Sequence, residues 1–199
     1  MTRASEILAE ARELLETARC GLMIAKLGPS EVKAGFRNVA VYGKMVTFCT
    51  NNLRGKVDGF EEWDRAAKEK YFDNDVARAM SDARNQFEKQ ARNPIFSATH
   101  IKSFSSQDLA RFPKPDNAVG FFMGDRFGGS GWMLQMENGD KLPFYIDLPA
   151  EIGESRTILS HEGTSLDLIA AADRYLNALE SYLGELTDFV RNSGEGTSK

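Results

Sequence analysis

Basic side chains recur along one face of the predicted second helix. The stretch FRNVAVYGK, residues 36–44, places an Arg-Asn pair at the start of an apolar helical run. At 100° per residue, Lys33, Arg37 and Lys44 fall within about 40° of one another, on the side away from the apolar stripe. Asp and Glu are both absent from residue 32 to residue 57. Arginine forks and lysine charges suit phosphate oxygens, so this face predicts an anion-binding surface for RNA or a nucleotide.

A second Arg-Asn pair, Arg84-Asn85, lies in the predicted fourth helix within DARNQFEKQARN. The two pairs and their basic neighbours give the candidate ligand-binding residues, which are Lys33, Arg37, Asn38, Lys44, Arg84 and Asn85. The competing interpretation is that these are solvated polar residues paired with acids of a neighbouring helix, because runs of charge on helices are usually ordinary surface.

The segments RNVAVYGK and DARNQFEKQARN resemble the Arg-Asn segment of the HEPN family, helical bundles found in many prokaryotic toxins and defence proteins. RNases of that family cleave RNA with an Arg and a following His that meet at a dimer interface, so the resemblance implies RNA as a ligand and a homodimer. This sequence departs at the His. The positions four to seven residues after the two arginines are Val41, Tyr42, Gly43 and Lys44, and Glu88, Lys89, Gln90 and Ala91.

The missing His leaves two candidate functions, because RNA cleavage by acid/base catalysis usually depends on an imidazole near the substrate. The first is a non-catalytic binding or assembly protein of the bacterial cytoplasm, similar to a degenerate HEPN module, with no catalytic residues. The alternative is an active RNase of a toxin–antitoxin or phage-defence system, using Arg37 or Arg84 with a base supplied elsewhere. Convergence of the arginines near His100 or His161, or across a two-fold axis, would favour it. The GFEEW segment at residues 59–63 also resembles a loose group of uncharacterised bacterial proteins, which implies no activity.

Aromatic residues around a glycine-rich stretch give a third candidate function, that of a protein-interaction module. GDRFGGSG, residues 124–131, lacks the Gly-Lys-Ser/Thr ending and the following helix of a phosphate loop, so it predicts a flexible connection between strands. Phe127 and Trp132 beside it could contact a protein partner if they are exposed, whereas burial in the sheet core is the competing interpretation.

Composition predicts a single soluble domain. The chain has 199 residues, of which 42% are hydrophobic and 27% charged, and no apolar run approaches the roughly 20 residues that span a bilayer. Its charged, amphipathic start does not resemble a secretion signal, so we expect a cytoplasmic protein with no membrane partner. The two cysteines predict neither a zinc site nor a disulfide but small buried residues, and we expect no metal or cofactor.

Charge is distributed unevenly along the chain. The net charge of -4 divides into +2 for residues 1–93, -1 for residues 94–149 and -5 for residues 150–199. This balance disfavours a broadly basic nucleic-acid-binding domain and leaves room only for a local basic face.

Helical periodicity predicts four helices in the first half of the chain. We expect the first at residues 3–26 and the second from Ser30 to about Leu53, with Ser30, Asp58 and Asp73 as the N-caps of the second, third and fourth helices. Pro94 ends the fourth helix.

From Ile95 onward, β-branched and aromatic residues predict a small antiparallel sheet of three or four strands. The ENGD sequence at residues 137–140 is typical of a hairpin with a type I′ turn, and Pro143 belongs on an edge strand. A fifth helix opens at Thr164, and one row of it consists of Leu168, Tyr175, Tyr182 and Phe189. This row favours either packing across the bundle or the seam of a homodimer.

Together these elements predict an α+β protein, mainly a helical bundle of about five helices with a small antiparallel sheet inserted before the last helix. The expected divisions are a bundle part at residues 1–93, a β lobe at 94–160, a C-terminal helix at 161–191 that completes the bundle, and a disordered tail at 192–199.

Overall fold

The computed structural model describes residues 3–195 and confirms the α+β fold class. The helices are α1 (Arg3–Ala25), α2 (Val32–Thr50), α3 (Phe60–Phe72), α4 (Asp75–Lys89) and α5 (Leu168–Glu195), with short 3₁₀ turns at Asn51–Leu53 and Ser106–Arg111. The strands are β1 (Ile95–Ile101), β2 (Ala118–Phe122), β3 (Ser130–Gln135), β4 (Lys141–Ile146), β5 (Gly153–His161) and β6 (Thr164–Asp167). None of the helices in this part of the chain is long and apolar enough to cross a membrane.

The strands form two antiparallel sheets instead of the single sheet expected. The first has the order β1-β5-β6 and the second β2-β3-β4. The start of the last helix also differs from the expectation, because residues 164–167 form strand β6 and not the first helical turn. The strand ends at Asp167, whose carboxylate Oδ1 accepts a hydrogen bond of 2.8 Å from the backbone N–H of Ala170 and so caps α5.

Three predicted N-caps are also wrong. Glu31 occupies the N-cap of α2, and the Ser30 hydroxyl donates to the Glu31 carboxylate. Gly59, with a φ of 71°, occupies the N-cap of α3, a conformation that glycine adopts without the steric cost of a side chain. The N-cap of α4 is Asn74, whose side chain accepts from the N–H of Ala77 at 3.0 Å.

The β3–β4 hairpin forms where the ENGD sequence predicts it, but with a different turn. A type I′ turn needs a positive φ at both central residues, and here only Gly139 has one, at 89°. The connection therefore runs from Met136 to Asp140, whose backbones are joined by a 2.8 Å hydrogen bond. Pro143 lies on β4, which is an edge strand as expected.

The helices α1 and α2 cross backbone to backbone at two glycines. A Cβ atom on Gly35 would lie 2.5 Å from the carbonyl oxygen of Gly21 and 2.8 Å from the Cα of Ala25. A Cβ atom on Gly21 would in turn lie 2.7 Å from the Cβ of Asn38. Because Cβ atoms do not pack this closely against a backbone, only glycine fits at Gly35.

The aromatic row of α5 lies inside the bundle. Leu168 and Tyr182 are fully buried, Tyr175 is 5% exposed, and Phe189 stacks on Trp63 of α3 with ring centroids 5.2 Å apart. These residues therefore pack within one chain, and the row does not serve as a homodimer seam. The last helix also extends to Glu195, which overlaps the start of the predicted tail. Residues 196–199 of that tail lie outside the described part of the chain.

The glycine-rich loop connects β2 to β3 of the second sheet and packs against β1 of the first. The Asp125 carboxylate accepts hydrogen bonds from the backbone N–H groups of Phe127 and Gly129 and from the hydroxyl of Tyr145. Gly128, at a φ of 76°, lies so close to β1 that a Cβ there would meet the Cβ of Ser97 at 2.7 Å. The loop is therefore ordered, and two of its backbone N–H groups already donate to Asp125. These N–H groups are not available to bind a phosphate.

Candidate functional site

A cleft of about 530 Å³ opens between α2, α3 and α4, with α5 at its floor. Its lining includes three cationic side chains and three hydroxyl groups, from Lys44, Lys68, Arg78, Thr47, Ser81 and Tyr175. Two carboxylates, Glu69 and Asp73, also line it. Of the predicted ligand-binding residues, the cleft contains Lys44.

Lys44 carries an uncompensated charge. Within residues 3–195 no carboxylate forms an ion pair with it, whereas the other cations near the cleft all have partners. Burial lowers the pKa of Lys44, and repulsion from Lys68 and Arg84 lowers it further. A half-buried ammonium group among other cations is a destabilised charge, and an anion bound beside it would relieve that cost.

The exposed ring of Phe48 lies beside this lysine, one turn farther along α2. The Nζ of Lys44 is 5.5 Å from the ring centroid, and the guanidinium carbon of Arg84 on α4 is 5.9 Å from the same point. Arg84 is oriented by Glu88, at 2.9 Å, and by the side-chain oxygen of Asn85, at 3.2 Å. Two helices thus bring Lys44 and Arg84, both predicted ligand-binding residues, close to the same aromatic ring.

A buried polar network holds Lys68 in the cleft wall. Asp64, with a side chain only 4% exposed, accepts a 2.7 Å hydrogen bond from the Nζ of Lys68 and another of 2.7 Å from the hydroxyl of Tyr182. The Tyr182 hydroxyl is also 3.0 Å from that of Thr50, and Lys68 donates to Asn51 at 3.0 Å. The carboxylate of Asp64 and the side-chain amide of Asn51 therefore hold the Lys68 side chain in one conformation.

Tyr175 and Gly43 shape the floor of the cleft. The Tyr175 ring crosses α2 where a Cβ on Gly43 would come within 2.6 Å of it, so this glycine of the FRNVAVYGK stretch makes room for the ring. Burial raises the pKa of Tyr175, which keeps its hydroxyl protonated at neutral pH. In the described part of the chain neither Tyr175 nor Ser81 makes a side-chain hydrogen bond, so both hydroxyls remain available to a ligand.

The remaining predicted ligand-binding residues are divided between two sides of α2. Lys33 and Arg37 are exposed on the Lys44 side, and no ion pair to either is found among residues 3–195. Asn38 faces α1 at the glycine crossing, so it does not lie on the basic face with the other α2 candidates. The competing interpretation, pairing with acids of a neighbouring helix, does not hold for these residues. Arg84 pairs with Glu88 of its own helix, and no ion pair to Lys33, Arg37 or Lys44 is found among residues 3–195.

The two histidines do not join these arginines. His100 is exposed on β1 opposite Glu154, and the Nδ1 of His161 lies 3.5 Å from a carboxylate oxygen of Asp82 on α4 without a hydrogen bond. Asp82 and Arg84 are two residues apart on a helix, so they point about 200° apart. His161 and the Arg84 guanidinium thus lie on different sides of α4.

The predicted partner-binding residues are not a surface pair. Trp132 is 5% exposed and packs edge-on against Phe121, with centroids 5.0 Å apart, in the core of the second sheet. Its assignment to a partner surface is therefore wrong, because a buried indole cannot contact a partner in the folded protein. Phe127 is half-buried and lies against the Arg126 guanidinium at 4.5 Å.

Phe48 is a site residue that helical spacing could have identified, since it follows Lys44 by four residues on the same helical face. Lys68, Ser81 and Tyr175 come from three other helices, and nothing in their local sequence marks them as neighbours of Lys44.

Cys20, expected to be buried, is exposed, while Cys49 is buried, which raises the pKa of its thiol to about 11. Residues 3–195 contain no cluster of acids, histidines and cysteines suited to a metal ion.

The chain matches no known protein family, and comparisons with curated proteins and with solved structures also return no match. The function is therefore inferred from the cleft itself.

Proposed function

We propose that this protein binds single-stranded RNA through the α2 basic face and the cleft at its end, without cleaving it. The observation that carries the proposal is Lys44, a half-buried lysine that has no ion-pair partner among residues 3–195 and is repelled by the charges of Lys68 and Arg84. A phosphate group would supply the negative charge that the described protein atoms do not provide there.

Phe48 supports a ligand that carries bases. Nucleobases stack on exposed aromatic rings, and flanking cations then neutralise the neighbouring phosphates. The ring of Phe48 is 49% exposed and has two cations within 6 Å of its centroid. A base on this ring would place its phosphate at the mouth of the cleft.

The extent of the basic face favours a strand over a mononucleotide. Lys33, Arg37 and Lys44 span about 16 Å along α2 at 1.5 Å per residue, which is more than one nucleotide covers. The positive end of the helix dipole lies near Lys33 and adds to the potential there. A mononucleotide is the natural comparison ligand, because it would use the cleft and Phe48 alone.

The RNase alternative gains no support from the arrangement of the histidines. Cleavage needs an acid or base within hydrogen-bonding reach of the ligand, and His161 lies on the far side of α4 from the Arg84 guanidinium. We accordingly propose binding without turnover, consistent with a degenerate HEPN-like module of a bacterial cytoplasm.

Reversing the charge of Lys44 or Arg84 is expected to weaken RNA binding about tenfold or more at ~50 mM salt, where phosphate contacts are strongest. The measurement is fluorescence anisotropy of a labelled single-stranded RNA with wild-type protein, Lys44→Glu and Arg84→Glu. Lys141→Glu, the same charge change on exposed β4, is the matched control and should bind as the wild type does. If all three variants lose the same RNA affinity, the effect comes from net charge and not from the cleft. If the wild-type protein does not bind RNA, the proposal is refuted.

RNA affinity is also expected to fall as the pH rises through the lowered pKa of Lys44. An anion stabilises the ammonium form, so binding is complete below that pKa and is lost above it, where the amine is neutral. The other charged groups that line or adjoin the cleft are Lys68, Glu69, Asp73, Arg78 and Arg84. Anisotropy from about pH 6 to about pH 10 tests this, and Lys44→Arg, which does not titrate there, should flatten the profile. An unchanged profile in Lys44→Arg would assign the pH dependence to another group.

A further inference from the structure

The Lys44 amine has the surroundings of a nucleophile as well as those of an anion ligand. It lines an open cleft, has no carboxylate partner among the described residues, and shares the lining with the unpartnered hydroxyls of Tyr175 and Ser81. Lysines activated for addition to carbonyl groups are desolvated and lie next to other cations, because both conditions favour the neutral amine.

We propose that Lys44 forms a covalent imine with aldehydes or ketones that also carry a phosphate or carboxylate group. The anionic group would lie between Lys68 and Arg84, so this inference rests on the anion-binding function proposed above. It goes beyond that function because it assigns Lys44 a bond-forming role and the site a class of small carbonyl ligands.

The chemistry balances without any outside oxidant or reductant. The lone pair of neutral Nζ forms a bond to the carbonyl carbon, while the carbonyl π electrons move to oxygen, which takes up a proton from the nitrogen. The oxygen then leaves as water with the second N–H proton, and a C=N bond remains. One water is released for each imine formed.

Tyr175 is the side chain suited to assist the carbonyl oxygen. It is 95% buried, it lines the cleft, and no described residue accepts its hydroxyl proton. Since burial raises its pKa, it stays a hydrogen-bond donor over the pH range in which Lys44 loses its proton. Glu69, on the α3 side of the cleft and without an ion pair in the described chain, provides an acceptor for the departing water.

The test uses pyridoxal 5′-phosphate as an anionic aldehyde probe, borohydride to trap the imine, and peptide mass mapping of wild-type protein over time. Lys44 is expected to be modified ~5-fold or more faster than exposed Lys141, because each unit by which a lysine pKa is lower gives about tenfold more neutral amine near neutrality. Uncharged pyridoxal, the matched probe, should label Lys44 much more slowly. Lys44→Arg should remove the fast phase, whereas Lys141→Arg should keep it.

Equal labelling of Lys44 and Lys141, or slower labelling of Lys44, would overturn the inference. Equal rates with pyridoxal and its phosphate would overturn the anionic ligand class. The pH dependences separate this inference from the RNA-binding proposal, since imine formation rises with pH through the Lys44 pKa and RNA binding falls. If the protein binds RNA but Lys44 is labelled slowly, the imine proposal alone is rejected. If Lys44 is labelled fast but the protein does not bind RNA, and RNA does not protect Lys44 from labelling, RNA is rejected as the ligand.

Discussion

Gly35→Ala is expected to lower the free energy of unfolding by about 2 kcal/mol or more, although alanine is the better helix former by about 1 kcal/mol. The added methyl group would lie 2.5 Å from the carbonyl oxygen of Gly21 and 2.8 Å from the Cα of Ala25. Both are backbone atoms of α1, so no side-chain rotation relieves the clash and the two helices must move apart. Urea denaturation monitored by circular dichroism measures the change.

Gly184→Ala is the matched control for this substitution. Gly184 also lies within a helix, but a Cβ there would have no heavy atom within 4 Å. Gly184→Ala is therefore expected to raise the free energy of unfolding by about 0.5–1 kcal/mol, because alanine favours the helix and lowers the conformational entropy of the unfolded chain. If both variants gained stability, the close α1–α2 crossing would be contradicted.

Asp64→Ala is expected to cost about 3–5 kcal/mol, the range for removing one partner of a buried ion pair. The carboxylate is 4% exposed and is the shared acceptor of Lys68 and Tyr182. Its loss would leave a lysine amine and a phenol competing for the remaining acceptors, Asn51 and Thr50. The measurement is again the free energy of unfolding from urea denaturation.

Asp64→Asn and Tyr182→Phe separate charge from hydrogen bonding in this network. Asparagine keeps the shape and one acceptor oxygen, so we expect a smaller loss, about 1–3 kcal/mol. Tyr182→Phe removes one hydroxyl and leaves the Lys68 pair in place, with a similar or smaller cost. A loss below about 1 kcal/mol for Asp64→Ala would show that water replaces the carboxylate, and the network would then not organise the cleft wall.

The helical part was predictable because its signals are local. The stripe that includes Phe36, Val39 and Val46 gives the buried side of α2, and all three residues are at most 1% exposed. The same periodicity correctly placed Lys33, Arg37 and Lys44 on one side of the helix. The caps were less predictable, because Asp58 and Asp73 compete with Gly59 and Asn74 one residue later, and the chain direction at each turn decides between them.

The cleft itself could not be predicted, because its lining comes from four helices and one of its residues, Tyr175, lies more than ninety positions after the rest. Lys44 and Tyr175 meet only because α5 returns across α2 at Gly43. β6 was missed for a related reason. Its four residues pair with β5 across a tight turn at Glu162 and Gly163, and their sequence contains the Thr and Asp that also open helices.

The junction of β6 and α5 also has a mechanical consequence. Asp167 is the last residue of the strand and the cap of the helix, so no linker separates them. Tyr175 lies two helical turns after this junction, at the floor of the cleft. We therefore expect a displacement of the β5–β6 hairpin to change the position of Tyr175, and a ligand in contact with Tyr175 to reduce the mobility of the hairpin.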